Sequence, residues 1–282
     1  MKPLRIVWLG EQGGGLQWLR QRLQSFESVQ VPAVILETLN RLPSNCSGLG
    51  VDRLIVGSRN RLNYPLRDIE QLQRELPEIP LALATDTLWD GAGRSGVASV
   101  LTHLTLPWHR WWDGWVDWLA GTAPQMFGPC PTAFGALSTG SGVASIESGI
   151  ILSDCRQSGE AWQLVAMQVS GGVQQLSWSQ FLVSDFDSES SPHWLLWDEP
   201  YRTVGDTVDR DARVVERVRS LAQRLPGTHL ILASSLPRSD QWLALQTAGV
   251  DDLLTNPNTG RALQRLLLHL GGVRAGNQNA AH

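Results

Sequence analysis

Residues 10–15 read Gly-Glu-Gln-Gly-Gly-Gly directly after an apolar run. Glycines in that place can let backbone N–H groups approach a phosphate. The spacing is neither G-x-G-x-x-G nor a Walker loop with its Lys-Ser/Thr pair, so the segment reads as a flexible strand-to-helix loop. The histidines at 103, 109, 193, 229, 269 and 282 have no metal-ligand spacing, and His103 and His229 fall inside expected strands. Cys46, Cys130 and Cys155 form neither a C-x-x-C pair nor a zinc cluster, and an odd, scattered set fits a reducing compartment. No G-x-S-x-G elbow is present. The remaining candidates are single carboxylates and hydroxyls at the ends of short apolar runs: Glu11, Ser58, Thr85, Asp154, Asp198 and Ser234.

Tryptophan is over-represented, with 13 Trp against 2 Tyr and 5 Phe. Trp108, Trp111, Trp112, Trp115 and Trp118 recur at steps that place them along one broad helical face. Two uses fit: packing a closing helix onto a sheet, or leaving some indoles accessible as an interface. These five are the interface candidates.

The elements that must position these residues alternate between short apolar runs and amphipathic stretches, the pattern of βαβ units on a parallel sheet. Expected strands in the first half are Arg5–Leu9, Val29–Val34, Arg53–Val56, Leu81–Ala84 and Val100–Leu104. The expected helices follow Gly15, then span Ile35–Leu42, Leu66–Leu76 and Trp108–Leu119. In the second half, strands are expected at Ile150–Ser153, Val173–Leu176, Trp194–Trp197, Leu230–Ala233 and Leu253–Leu254. Helices are expected at Glu160–Val169, Gln180–Val183, Asp209–Leu225, Asp240–Ala248 and Thr259–Leu270. Residues 121–149, rich in Gly, Ser, Thr and Pro, read as a connector. The expected organisation is a domain over 1–120, the linker 121–149, a second domain over 150–271 and a polar tail over 272–282. The fold class is α/β: two tandem flavodoxin-like (βα)5 doubly wound domains with parallel sheets.

The stretch Leu195-Leu-Trp-Asp198, then Leu230-Ile-Leu-Ala-Ser234, then Ala248-Gly-Val-Asp-Asp-Leu-Leu-Thr-Asn256-Pro257 resembles the second half of a response-regulator receiver (CheY-like) domain. The resemblance implies that Asp198 stands at the phosphoacceptor position, Ser234 at the Thr/Ser position, Asn256 at the lysine position and Asp154 in the magnesium-binding acidic pair. In the first half the same positions hold Glu11, Ser58, Thr85 and Leu106. Each second-half position lies 140 to 150 residues beyond its counterpart, as an internal duplication predicts.

Phosphoryl transfer to a carboxylate needs the developing charge neutralised. With Ser58 and Leu106 in the first half, neither nucleophile nor cation is present. In the second half Asp198 could accept a phosphoryl group, and Asp154 with Asp198 could hold Mg²⁺, but Asn256 supplies no positive charge. The expected function is therefore a pseudo-response-regulator: a phosphorylation-independent, non-enzymatic protein-interaction or self-association module in signalling, with no cofactor beyond that possible Mg²⁺. Two alternatives are a weakly phosphorylated response regulator acting through Asp198, and an enzyme with two Rossmann-like halves binding a nucleotide or sugar-nucleotide. A net charge of −4 argues against nucleic acid as the partner. No apolar run is long enough for a membrane span, and a cytoplasmic location is expected.

Overall fold

The computed structural model describes residues 3–26, 34–39, 50–59, 66–86, 104–121, 148–186, 191–199, 207–235, 238–256 and 260–280. The chain divides into two compact units, Met1–Ala123 with Arg238–Asp240, and Pro124–Pro237 with Gln241–His282. Of the expected connector, 122–147 lie outside the described residues, and Gly149 already belongs to a strand.

In the first unit the strands are β1 (Leu4–Gly10), β2 (Val34–Leu39), β3 (Arg53–Ser58), β4 (Leu81–Thr85) and β5 (Leu104–Pro107). Helix α1 covers Gly15–Ser25 and α2 covers Leu66–Glu75. The sheet order is β2-β1-β3-β4-β5, with every pair parallel. Alternate residues face opposite sides of a strand. Val7, Leu9, Val56 and Leu83 therefore pack together against Ile69 and Leu72 of α2, while Trp8 faces Arg20 of α1.

Two strands are displaced from their expected positions. β2 begins at Val34, and residues 35–39 are strand rather than helix. Val34-Ile35-Leu36 pair directly with Leu4-Arg5-Ile6, and residues 27–33 lie outside the described residues. β5 starts at Leu104, where pairing with Ala82 begins, and its final residue is Pro107. Proline is tolerated there because β5 is an edge strand.

In the second unit the strands are β6 (Gly149–Leu152), β7 (Val173–Leu176), β8 (Trp194–Asp198), β9 (His229–Ser235) and β10 (Asp252–Asn256). Their order is β10-β9-β8-β6-β7, again all parallel. Read from β7, it is the same 2-1-3-4-5 order as in the first unit. That order is the doubly wound, flavodoxin-like arrangement. Both sheets are built as expected.

A short π-helical turn (Trp111–Trp115) running into Val116–Leu119, together α3, closes the first unit. The helices of the second unit are α4 (Arg156–Ala166), α5 (Trp178–Val183), α6 (Thr207–Arg224), α7 (Ser239–Ala248) and α8 (Arg261–Ala280). Ser177 and Gln180 form a reciprocal capping box that starts α5. Gly249, at φ 118°, ends α7, and a Cβ there would lie 2.8 Å from Ala222 Cβ. Helix α8 continues through residues expected to form a polar tail. Once a helix is nucleated each further residue adds a hydrogen bond, so it outlasts its apolar face. Among the described residues no helix is long and apolar enough to cross a membrane.

Candidate functional site

Functional groups of a parallel α/β sheet gather at the carboxyl ends of its strands. Glu11, Ser58, Asp154 and Asp198 all lie there, as expected. Strand register fixes which residues of the two units correspond. Gly10 pairs with Gly57 as Leu152 pairs with Trp197, so Glu11 corresponds to Ser153, not Asp154. Ser58 pairs with Thr85 as Asp198 pairs with Ala233. Ser58 thus matches Asp198, and Asp86, not Thr85, matches Ser234. Leu106 pairs with Ala84 and Leu253 with Leu232, so Leu106 matches Leu253 rather than Asn256. Spacing along the sequence missed these shifts because loop lengths between strands differ in the two halves.

In the second unit Ser153 and Asp198 emerge from neighbouring strands and are both buried. Ser153 Oγ lies 2.8 Å from Asp198 Oδ2 as its hydrogen-bond donor, and it also accepts the Cys155 N–H at 3.3 Å. Asp154 is turned elsewhere. Its Oδ1 accepts the Trp178 N–H at 2.9 Å, placing a negative charge at the start of α5. Ser234 Oγ donates to Glu199 Oε2 at 2.9 Å, not to Asp198. Asn256 closes β10, in register with Ser235. A hard divalent cation wants several oxygen ligands converging on one point. Asp154 and Asp198 are committed to different partners, and the described residues contain no group of three or more His, Cys, Asp or Glu able to hold a metal. These residues do not fit a magnesium site. Cys155 is a free, exposed thiol, and His229 is held locally by Asp252, Nε2 to Oδ2 2.9 Å. His103 lies outside the described residues.

In the first unit Ser58 and Thr85 are buried at the ends of β3 and β4, and Leu106 is fully buried in β5. The Thr85 hydroxyl has no hydrogen-bond partner among the described residues. Glu11 accepts the Arg59 backbone N–H through its carboxylate. The charged residues that sequence reasoning passed over are Arg59 and Asp86. Asp86 is 1% exposed. Its Oδ2 accepts the Gly15 N–H at 3.4 Å and lies 3.8 Å from Arg59 Nε. Helix α1 has no side-chain cap of its own, so Asp86 supplies the negative charge at its start from 71 residues away.

The glycine loop is explained by the same packing. A Cβ on Gly14, which sits at φ 63°, would fall 2.4 Å from Asp86 Oδ2, and one on Gly15 would fall 2.4 Å from the Trp108 ring. At Gly14 and Gly15 the loop is closely packed. An acid one residue beyond a strand was the available signal for Asp86, but nothing in the sequence ties it to Gly15.

The tryptophan stripe is core. Trp108, Trp111, Trp112, Trp115 and Trp118 are at most 5% exposed, so of the two uses the sequence allowed, packing of the closing helix is the one that burial supports, and the indoles are not accessible interface candidates. Trp18 meets Trp108 edge-on at 5.5 Å, and Phe26 meets Trp111 at 5.0 Å. The π-helical turn, closed by Trp115 N–H to Arg110 O at 3.0 Å, is wider than an α-turn. It lets the adjacent Trp111 and Trp112 both face inward. A buried Arg110–Asp113 ion pair at 2.9 Å lies within it. Arg22 covers Trp111 and Trp112, and Arg53 covers Trp118. Burial lowers the Arg53 pKa, partly opposed by Asp52.

No protein-family model matches the sequence, and no curated protein matches it. The solved structures it is similar to include response-regulator receiver domains. The response regulator DrrB of Thermotoga maritima is 19% identical over 42% of this chain, at a TM-score of 0.33, and the match spans about half (48%) of that protein. A response regulator from Colwellia psychrerythraea is 17% identical over 46% of this chain and 99% of its own, at a TM-score of 0.36. A "probable two-component system response regulator/GGDEF domain protein" is 14% identical over 95% of this chain and 98% of its own, at a TM-score of 0.36.

Proposed function

We propose that this chain is a pair of pseudo-receiver domains, an interaction module of signalling that works without phosphoryl transfer. One observation carries the reading: each sheet end is closed by the unit's own side chains. Asp198, the one residue at a phosphoacceptor position, is buried under the Ser153 hydroxyl. Among the described residues no cation is paired with it to neutralise the charge that develops on a transferring phosphoryl group. In the first unit the nucleophile position is a serine, and the nearby cation, Arg59, is paired with Asp86. A protein partner or a second copy is then the object of binding, and no catalysis is required of either sheet end.

Incubation with acetyl phosphate and Mg²⁺, followed by intact-mass spectrometry, tests this. The expected result is no stoichiometric phosphoryl adduct. Rapid labelling that disappears in Asp198→Asn supports the alternative, a phosphorylated response regulator.

A further inference from the structure

With the tryptophan stripe buried, a binding surface must be sought elsewhere, and the second unit offers one around α5. Leu182 and Val183, at the end of this helix, are 49% and 82% exposed. Beside them runs a chain of aromatic contacts. Trp197, the residue before Asp198, meets Trp178 at 5.6 Å; Trp178 meets Phe181 at 5.9 Å, and Phe181 meets Phe186 at 5.3 Å. Two arginines of α6 cover these rings, Arg217 over Trp178 at 5.0 Å and Arg224 over Phe181 at 5.1 Å. Arg224 also donates to the backbone carbonyls of Leu182 and Ser184.

Neither guanidinium has a carboxylate within ion-pair distance among the described residues; Arg217 rests on an aromatic face, and Arg224 on aromatic faces and carbonyl oxygens. This is unusual company in a chain whose net charge is −4. Cations held in place by rings keep their charge available to a ligand while losing little mobility on binding. Exposed apolar side chains flanked by such cations complement a segment carrying both acidic and apolar groups.

We propose that the α5–α6 face, Leu182 and Val183 with Arg217 and Arg224, docks an acidic, amphipathic peptide segment of a protein partner. The proposal rests on the interaction reading above, and its test involves no phosphorylation, so the two can fail separately. Apolar anchors of the ligand meet Leu182 and Val183, and its carboxylates meet the two guanidinium groups.

The probe is a short fluorescent peptide of Leu and Glu at helical spacing, with a counterpart in which every Glu is Lys. Fluorescence anisotropy with the full chain should show saturable binding of the acidic peptide only, weakening as salt is raised. Arg217→Glu and Val183→Glu, both at exposed positions, should each weaken it by at least about tenfold while circular dichroism stays unchanged. Equal binding of both peptides, no binding of either, or full affinity in folded Arg217→Glu overturns the proposal. So does a concentration-dependent dimer in sedimentation that Val183→Glu abolishes, because the occupant is then a second copy.

Discussion

The two sheet ends use the same positions with exchanged chemistry. In register, Glu11, Ser58 and Asp86 of the first unit stand where Ser153, Asp198 and Ser234 stand in the second. Acid, hydroxyl, acid becomes hydroxyl, acid, hydroxyl. In each unit the residue after the central strand meets a polar group from the neighbouring strand: Arg59, after β3, pairs with Asp86, just past β4, and Glu199, after β8, accepts from Ser234, inside β9. A polar group at a strand end must be satisfied when buried, and the two units satisfy theirs by different pairs on one scaffold. Both units thus keep their strand-end polar groups hydrogen-bonded on one topology, and the proposed loss of phosphoryl chemistry rests on which charges stand there.

The comparison can be broken most forcefully in the core of the first unit. Trp111→Ala removes a buried indole packed against Trp18 and Phe26 and should cost about 3–5 kcal/mol. Urea denaturation followed by circular dichroism measures it. A loss below about 1 kcal/mol would mean that the indole is not the packed group described.

The sheet ends themselves should respond less, and unequally. Ser153→Ala leaves buried Asp198 without its hydroxyl donor and should destabilise by about 1–3 kcal/mol. Asp86→Asn keeps an acceptor for the Gly15 N–H and gives up only the charge facing Arg59, whose side chain is 47% exposed. Its cost should stay below about 1 kcal/mol after screening by solvent. The same denaturation experiment compares them, and the reverse order would contradict the assignment of which contact closes which site.

Much of the fold was legible from alternation alone. β8 is an uninterrupted apolar run ending in Asp198, and its neighbours β6 and β9 contain the apolar runs Ile150–Leu152 and Leu230–Ala233; buried parallel strands read in that way. β2 is displaced because Val29, Val31 and Val34 carry strand-like apolar residues, whereas pairing with β1 runs from Val34 to Leu39 and so depends on register. The site was half legible. Asp198 and Ser234 follow apolar runs and could be named directly. Ser153 weighs less in the sequence than the charged Asp154, since which of two consecutive residues faces the sheet end depends on register, not residue type. Asp86 and Arg59 acquire meaning only through contacts with residues far away in sequence. Helical periodicity foresees one face of tryptophans able to pack on the sheet, but not the π-turn at Trp111–Trp115.

The most direct test of a closed second site is a Mg²⁺ titration of the intact chain, read by isothermal calorimetry and by tryptophan fluorescence, since Trp197 adjoins Asp198. Wild type should show no saturable binding into the millimolar range, and Asp198→Asn should behave identically. A saturable isotherm in wild type that vanishes in Asp198→Asn would show that Asp198 holds a cation after all and would contradict the pseudo-receiver account.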